Sequence, residues 1–305
     1  MPAPNLHIPT MRKSMIISIS RRTDIPAYYS PWLFHRLREG YAVARNPRNP
    51  RQERRVSLKP EDVDAIVFWS KNPAPMLPRL QELAGYRFYF QFTLTGYDPE
   101  IEPAFADRAA LLDTFRQLSD AIGPARVLWR YDPILRNPDY TPERHAELFG
   151  RLAHTLRGYT KRCTISFIDD YKNTAANAAK LRLAPMDDGV KTTIAATLAP
   201  IARECGIDIM TCAEGIDLTA LGIGHGRCVD AGLINGLWGL ALPATKDKSQ
   251  RPGCLCAPSV DLGVYNTCPG GCLYCYANYN TAVIERNREG HDPAGSAFLQ
   301  MKDRF

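Results

Sequence analysis

The sequence lacks the motifs that would place it at once in a common functional class. It contains no Walker loop, no nucleophile-elbow serine and no G-x-G-x-x-G run, so it shows no sign of a phosphate-cradling loop, a serine hydrolase or a dinucleotide-binding site. Its six histidines have no paired spacing typical of metal ligands. The longest apolar runs are too short to cross a bilayer. Residues 1–14 lack the apolar stretch of a signal peptide. These absences favour a cytoplasmic protein that does not enter a membrane.

The surplus of positive charge is also small. The chain has 38 Lys+Arg against 32 Asp+Glu, a formal net charge of +6. One segment, residues 43–58, is rich in arginine, and it is either a solvated hairpin or a basic lip that attracts a phosphate-bearing substrate. Aromatic residues for base stacking are scarce there. We therefore expect any nucleic-acid binding to be weak and steeply salt-dependent. The arginines of this segment are Arg45, Arg48, Arg51, Arg54 and Arg55.

The length and the hydrophobic content, 305 residues and 45%, allow one large core. No change in composition marks a linker, so we expect a flexible tail at residues 1–14 and a single domain at residues 15–305. Short apolar runs alternate with helical stretches, which is typical of a parallel α/β sheet closed or partly closed into a TIM-like (β/α) barrel. The seven predicted strands are residues 15–20, 65–69, 87–93, 126–130, 163–168, 207–211 and 260–265. The predicted helices lie in residues 31–39, 74–84, 103–122, 142–157, 175–203, 226–240 and from about 277.

Charged and polar residues follow almost every predicted strand, and in such barrels these positions form the active face. Among them, Arg130 and Asp132 flank Tyr131. They form either an internal ion pair or a site for a polar part of a ligand, such as a carboxylate or a ribose hydroxyl. The candidate catalytic residues are Arg130, Asp132, Lys71 and Glu214. The full set after the strands is Arg21, Arg22, Asp24, Lys71, Tyr97, Arg130, Asp132, Asp169, Asp170, Lys172, Cys212 and Glu214.

Three cysteines after the last predicted strand carry the most specific signal. Cys268, Cys272 and Cys275 are spaced C-x3-C-x2-C around Pro269-Gly270-Gly271, a loop that can wrap closely around a ligand. Three thiolates can hold a [4Fe-4S] cluster and leave its fourth iron open to a substrate or cofactor. A structural zinc site is the alternative, although zinc usually takes its cysteines as two separated pairs.

This loop resembles the signature of the radical S-adenosylmethionine (SAM) superfamily, in which an aromatic residue, here Tyr274, precedes the last cysteine. The resemblance implies a [4Fe-4S] cluster whose open iron is chelated by SAM, a radical reaction on an unknown substrate, and a reductant such as flavodoxin or ferredoxin. It names Tyr274, and Arg130 from its strand-end position, as candidates for binding the cofactor. A non-catalytic iron–sulfur or zinc protein, acting as sensor, electron carrier or nucleic-acid-binding module, is the alternative.

Two further points concern the resemblance. The wider run from about Met15 also resembles a bacterial family known only as domain of unknown function 1848. Radical SAM enzymes usually carry the cluster loop after the first strand, whereas here it follows the last. We therefore expect a circularly permuted barrel, whose first and last strands are neighbours, and we transfer only Cys268, Cys272, Cys275 and Tyr274 from the superfamily.

The chain has nine cysteines, an odd number grouped in metal-like spacings, which argues against a secreted disulfide framework. Cys254 and Cys256 precede the last strand, and with Cys212 and Cys228 they are candidates for a second site holding zinc or another cluster. They reach Cys212 only if residues 246–258 cross the mouth of the barrel, which would bring Lys246, Lys248 or Arg251 to the active face. Alternatively, Cys212 and Cys228 are ordinary core residues, as we expect of Cys163 and Cys205.

Overall fold

The computed structural model describes residues 14–47, 49–169 and 175–299. Most of the predicted tail therefore lies outside the described residues. So do Arg48, Asp170 and Lys172.

The centre of the molecule is an eight-stranded parallel sheet, in the order β10-β1-β4-β5-β6-β7-β8-β9. All seven predicted strands are present in it, because each is a short run of apolar residues able to be buried on both faces. The eighth, β9, is a two-residue strand without an apolar signal. The sheet strands are β1 (Ile16–Ile19), β4 (Ala65–Ser70), β5 (Phe88–Thr93), β6 (Val127–Ile134), β7 (Arg162–Phe167), β8 (Asp208–Thr211), β9 (Gly224–His225) and β10 (Val260–Asp261).

The first and last predicted strands are neighbours, as expected. Ile17 of β1 pairs with Val260 of β10 in parallel. The outer strands of the sheet are β10 and β9, and no pairing closes the sheet between them in the described residues. The architecture is thus a mixed α/β fold around a large parallel sheet, and a closed barrel is not formed.

A separate antiparallel hairpin consists of β2 (Tyr41–Asn46) and β3 (Asn49–Ser57). It spans the arginine-rich segment, so a hairpin is present, and the role of this hairpin as a basic lip stays a prediction. Arg45 pairs with Glu53 at 2.7 Å, and the Arg55 guanidinium lies 3.7 Å from the centre of the Tyr41 ring. Part of the positive charge is therefore already used within the hairpin.

The helices follow the predicted stretches, and several are capped as their sequences predict. Gly40, at φ +71, ends the second helix, and the side chain of Asp107 caps the start of the third. The α-helices are α1 (Ile25–Tyr28), α2 (Ser30–Glu39), α3 (Arg108–Ile122), α4 (Pro142–Thr155), α5 (Ala175–Leu181), α6 (Asp188–Glu204), α7 (Ala231–Trp238) and α8 (Thr281–Glu289).

Three predicted elements differ from the structure. Ala74–Leu83 is a 3-10 helix, and Pro78 within it lacks the amide hydrogen that an α-helix would use. α7 begins only at Ala231, because the Asp230 carboxylate accepts from the backbone of Gly232 and Leu233 as an N-cap. β10 is shorter than predicted and ends at Asp261.

The sheet has two differently covered faces, since side chains alternate along each strand. One face, with Phe68, Phe90 and Trp129, packs in the main core with residues of α2, α3, α4 and α6. The opposite face, which we call the second face, includes Tyr89 and Leu128, and it packs against α7 and residues 254–257. No helix in the described part of the chain is long and apolar enough to cross a membrane.

Candidate functional site

The carboxyl ends of the parallel strands bring the predicted polar residues to one edge of the sheet. We call this the strand-end edge. Lys71 follows β4, Arg130 and Asp132 lie near the end of β6, and Glu214 follows β8. The cysteine loop, residues 268–275, follows β10 at the same edge because β10 runs parallel to β1. The edge therefore joins the cysteine loop to the charged groups.

A buried charged group lies directly beside the cysteine loop. The Lys71 Nζ lies 2.8 Å from Glu102 Oε1, and Thr95 Oγ1 donates to the same oxygen at 2.6 Å. The Tyr274 hydroxyl also donates to Glu102. Burial alone would lower the pKa of Lys71, but Glu102 and Cys272 raise it, so the net shift is upward. Lys71 therefore remains a cation that faces both a carboxylate and the Cys272 sulfur.

The cysteine loop is held in shape by close contacts that only glycine permits. Gly271 has φ +70, and a Cβ there would lie 2.9 Å from Pro103; a Cβ at Gly270 would lie 2.9 Å from Phe105. The Asn278 Oδ1 accepts from the backbone amides of Thr267 and Cys268 at 2.8 and 2.9 Å. The loop thus turns tightly, with its backbone fixed from both sides.

The three thiols of this loop are half-buried and close enough to influence one another. Burial, together with Asp24 and Cys275, raises the pKa of Cys268 to about 12. Burial also raises the pKa of Cys272, whereas the neighbouring Lys71 lowers it. The Asn278 side-chain amide lies 3.7 Å from the Cys275 sulfur. A bound cation would therefore favour deprotonation of Cys268 and Cys272, which is the usual coupling of metal binding to proton release.

Asp261 ties the loop to the first strand. Its Oδ2 accepts from Ser18 Oγ and from the Arg21 backbone amide, both at 2.9 Å. The guanidinium groups of Arg21 and Arg22 lie 3.6 and 3.7 Å from the Asp261 carboxylate. These bonds hold β1 and β10 together just before the cysteine loop begins.

Arg130 and Asp132 form the predicted ion pair, and the pair is engaged on both sides. Arg130 Nη2 contacts Asp132, and Asp132 also accepts from Ser166 Oγ. Arg130 Nη1 lies 2.8 Å from the Cys228 sulfur. Burial would lower the pKa of Arg130, but Asp132 and Cys228 raise it well above its usual value. Arg130 is 5% exposed, so its guanidinium lies inside the protein between a carboxylate and a thiol.

Glu214, which follows β8, has partners of its own. Its Oε1 accepts from the Phe167 amide at 2.9 Å, and its Oε2 lies 3.8 Å from Lys191 Nζ. Burial raises the pKa of Glu214, against the hydrogen bond from Phe167. The structure therefore joins Lys71 and Tyr274 to the cysteine loop, joins Arg130 to Asp132, and pairs Glu214 with the Phe167 amide and Lys191.

The four other candidate cysteines come together on the second face. The sulfurs of Cys212 and Cys228 lie 3.0 Å apart, and Cys256 hydrogen-bonds with both Cys228 and Cys254. The segment that carries the last two does cross the strand-end edge, because Arg251 forms an ion pair with Asp169 after β7. Cys163 and Cys205 are core residues, as predicted.

In the described residues, no group of three or more Cys, His, Asp or Glu side chains is already arranged to hold a metal ion. This does not conflict with a cluster at the cysteine loop, because the thiolates of a four-iron cluster each bind a different iron and need not surround one point.

Sequence reasoning missed Glu102, Asp261 and Asn278. Asp261 lies within the otherwise mainly apolar predicted strand, residues 260–265, and this is a detectable signal because a buried carboxylate needs partners. Glu102 gives no such signal, because it lies in a loop and meets Lys71 and Tyr274 only through the fold.

One surface depression lies away from the cysteine loop. It measures about 440 Å³ and is lined in part by Arg162, Arg227 and Leu233. Arg162 begins β7, so this depression opens at the opposite ends of the strands from the cysteine loop, and we assign it no part in the site.

The fold and the site define a mixed α/β protein with a cysteine-rich strand-end edge. The chain belongs to the family described as domain of unknown function DUF1848, whose family model matches residues 16–277. This match extends from β1 through the cysteine loop and confirms the family resemblance noted in the sequence.

Other comparisons add little. No curated protein matches the chain. Among solved structures, one similar chain is the crystal structure of a "putative alpha-L-fucosidase" from Bacteroides thetaiotaomicron VPI-5482, with 12% identity and a TM-score of 0.26. The match covers 52% of this chain and 67% of that one.

Proposed function

We propose that this protein is a radical SAM-type enzyme that uses a [4Fe-4S] cluster at Cys268, Cys272 and Cys275. The observation that carries the proposal is the position of these thiols: half-buried, mutually close, and next to the cation of Lys71 at the strand-end edge. A cluster bound by three thiolates keeps one iron free for a small chelating ligand. When bound and reduced, the cluster supplies the electron that cleaves SAM into methionine and a 5'-deoxyadenosyl radical.

The surrounding residues are suited to holding a negatively charged group. Lys71 is a buried cation beside Cys272, and it offsets part of the charge that three thiolates bring. Glu102 fixes Lys71, and Glu102 is in turn fixed by Thr95 and Tyr274. In this arrangement Tyr274 orients the cysteine loop through its hydroxyl, and its ring would help to hold the cofactor.

Arg130 and Asp132 have different roles in the proposal. Both terminal nitrogens of Arg130 are engaged, with Cys228 and with Asp132. We therefore assign Arg130 as a positioning residue that holds Asp132, and Asp132, which is partly exposed, as the group that meets a ribose hydroxyl or the substrate. Glu214 acts as a positioning residue for the end of β7, through its bond with Phe167.

The proposal includes a permuted barrel ancestry, a reducing cytoplasmic location and an electron donor such as flavodoxin or ferredoxin. The pairing of β1 with β10 supports the first. The nine free cysteines support the second. The third follows because the cluster must be reduced before each cleavage. The substrate stays open.

A closed four-thiolate cluster, which would favour a non-catalytic electron carrier, requires a fourth cysteine at the loop. Of the two nearest in sequence, Cys256 lies against Cys228 and Cys254 lies against Cys256 instead. The open iron needed for SAM binding is therefore consistent with the positions of these two residues.

The test is anaerobic reconstitution with iron and sulfide, followed by reduction in the presence of SAM. We expect 5'-deoxyadenosine from the wild-type protein and none from C272A. The control variant C163A, which replaces a core cysteine outside the loop, should form as much as the wild type. A fully loaded wild-type cluster that forms no 5'-deoxyadenosine would refute the enzymatic proposal while leaving the cluster in place.

A further inference from the structure

Four cysteines from three separate segments meet on the second face of the sheet. Cys212 follows β8, Cys228 precedes α7, and the other two belong to the crossing segment, residues 246–258. The contact between Cys212 and Cys228 is 3.0 Å from sulfur to sulfur. Cys256 links Cys228 to Cys254 by hydrogen bonds. We call the four residues, Cys212, Cys228, Cys254 and Cys256, the tetrad.

Hydrogen-bond donors lie against two of the tetrad sulfurs. The Val229 backbone amide donates to the Cys256 sulfur at 3.4 Å, and the Arg130 guanidinium lies 2.8 Å from the Cys228 sulfur. Cations and amide donors around thiolates are the outer contacts that orient metal ligands and tune their charge. Three of the four residues are also nearly inaccessible to solvent: Cys228 is 1% exposed, Cys256 3% and Cys254 7%.

The backbone is shaped to bring these segments together. A Cβ at Gly253 would lie 3.0 Å from the Ala213 carbonyl oxygen, next to Cys212, and a Cβ at Gly226 would lie 2.4 Å from the Met210 sulfur. Glycine at both positions therefore allows the close approach. The Ala257 amide donates to the Val229 oxygen at 2.9 Å and ties the crossing segment to the start of α7.

We propose that the tetrad is a structural zinc site that fixes the crossing segment over the second face of the sheet. A closed set of four cysteines with no open position is the ligand set of structural zinc. Sulfurs in mutual contact also favour a single ion over a four-iron cluster, whose thiolates bind separate irons and stand farther apart. The proposal stands independently of SAM chemistry at the cysteine loop.

The site must open slightly to accept the ion, because no set of three such side chains in the described residues yet surrounds a central point. With Zn–S bonds of about 2.3 Å, tetrahedral ligands lie about 3.8 Å apart. The Cys212–Cys228 separation of 3.0 Å would therefore widen by less than about 1 Å, which rotation of side chains can supply. Once bound, the ion would hold Cys228 in place beside Arg130.

The test measures zinc and cobalt binding without interference from the cysteine loop. In the C268A/C272A/C275A background, we expect about one zinc per chain after purification under reducing conditions, and the visible bands of a tetrahedral thiolate site when Co²⁺ replaces zinc. Adding C254A and C256A should abolish both signals. The matched control, C163A/C205A in the same background, removes two buried cysteines outside the tetrad and should keep both.

Three results would overturn the proposal. One is zinc or cobalt binding that persists without Cys254 and Cys256. Another is an iron–sulfur cluster at the tetrad in place of zinc. The third is a reduced, folded protein that binds neither ion, or whose Cys212 and Cys228 form a disulfide under the same conditions. The single variant C256S serves as a milder test if the double variant does not fold, and it should weaken cobalt binding at least tenfold while circular dichroism stays unchanged.

Discussion

The two groups of cysteines, the loop at the strand-end edge and the tetrad on the second face, differ in exposure and in neighbours. The cysteine loop is half-buried, bends around two glycines and faces Lys71 and Tyr274. The tetrad is almost sealed, with sulfurs in contact and Arg130 against Cys228. The thiols of the cysteine loop are thus partly accessible, whereas three of the four tetrad cysteines are buried.

This difference distinguishes a site suited to a reaction from a site suited to stabilising the fold. A site that reacts with a small molecule must keep one position open, while a site that only stabilises the fold is best closed. One chain with reduced cysteines can thus hold an open site and a closed site. The variants that follow alter one of the two groups of cysteines, its neighbours, or a region outside both.

The largest effect is expected from the cysteine loop itself. Replacing Cys268, Cys272 and Cys275 with alanine should remove all cluster iron and all SAM cleavage, because the tetrad cannot substitute for it. Iron analysis and 5'-deoxyadenosine assays measure the two losses. Full iron content in the triple variant would show that the cluster lies elsewhere.

The second prediction concerns the buried pair beside the loop. K71M leaves the Glu102 carboxylate buried without its cation, and we expect a loss of about 3–5 kcal/mol in the free energy of unfolding. The double variant K71M/E102Q should recover most of this loss, because both charges are then removed. Chemical denaturation of the metal-free protein provides the measurement.

The exposed pair Arg144–Glu147, at 2.7 Å on α4, is the matched control. R144M should leave the unfolding midpoint unchanged, since exposed ion pairs contribute little. An equal loss for R144M and K71M would mean that burial does not determine the contribution of the Lys71–Glu102 pair.

The third prediction concerns the pH dependence of the free energy of unfolding, through the buried side chain of His145. His145 is buried; its Nε2 donates to the Leu135 oxygen at 2.7 Å, and it accepts from the Tyr131 hydroxyl at 2.8 Å. Burial, only partly opposed by the bond to Leu135, lowers the pKa of His145 to about 4 from 6.5. The unfolded chain therefore binds this proton first as the pH falls. The contribution of His145 is complete above pH 6.5 and is lost progressively down to pH 4, by about 3 kcal/mol.

Urea unfolding at a series of pH values between 4 and 7 measures this loss. H145Q, which carries no titrating ring, should show a shallower fall in stability over that interval than the wild type. Identical slopes for the two proteins would rule out His145 as the source.

The smallest effect is expected at the hairpin, which belongs to neither group of cysteines. Arg51 and Arg54 are exposed, so R51A/R54A should change the free energy of unfolding by about 0.5 kcal/mol or less and leave SAM cleavage intact. It should further weaken an already weak, salt-dependent binding of DNA, measured by titration at two salt concentrations. Tight binding that survives high salt would contradict the account of this segment.

The sequence predicted the sheet well because buried parallel strands are continuous apolar runs, as in Phe88–Thr93. It also predicted that β1 and β10 are adjacent strands. It could not predict β9, which has two exposed residues, or the open outer edges, which depend on distances between strands far apart in the chain.

The candidate site shows the same difference between local features, which the sequence predicts, and long-range contacts, which it does not. The spacing of Cys268, Cys272 and Cys275 is local and was readable directly. The pairing of Lys71 with Glu102 joins residues 31 positions apart, and nothing in either local sequence identifies the partner. The 3-10 conformation of Ala74–Leu83 shows the same limit on a smaller scale, since Pro78 is visible in the sequence but apolar periodicity alone does not distinguish a 3-10 helix from an α-helix.

The most direct test of the central claim is metal analysis of protein purified without oxygen, with the two groups of cysteines removed in turn. The account predicts about four irons and one zinc per wild-type chain, zinc alone in C268A/C272A/C275A, and iron alone in C254A/C256A. A wild-type protein that contains zinc and no iron, even after anaerobic reconstitution, would contradict it.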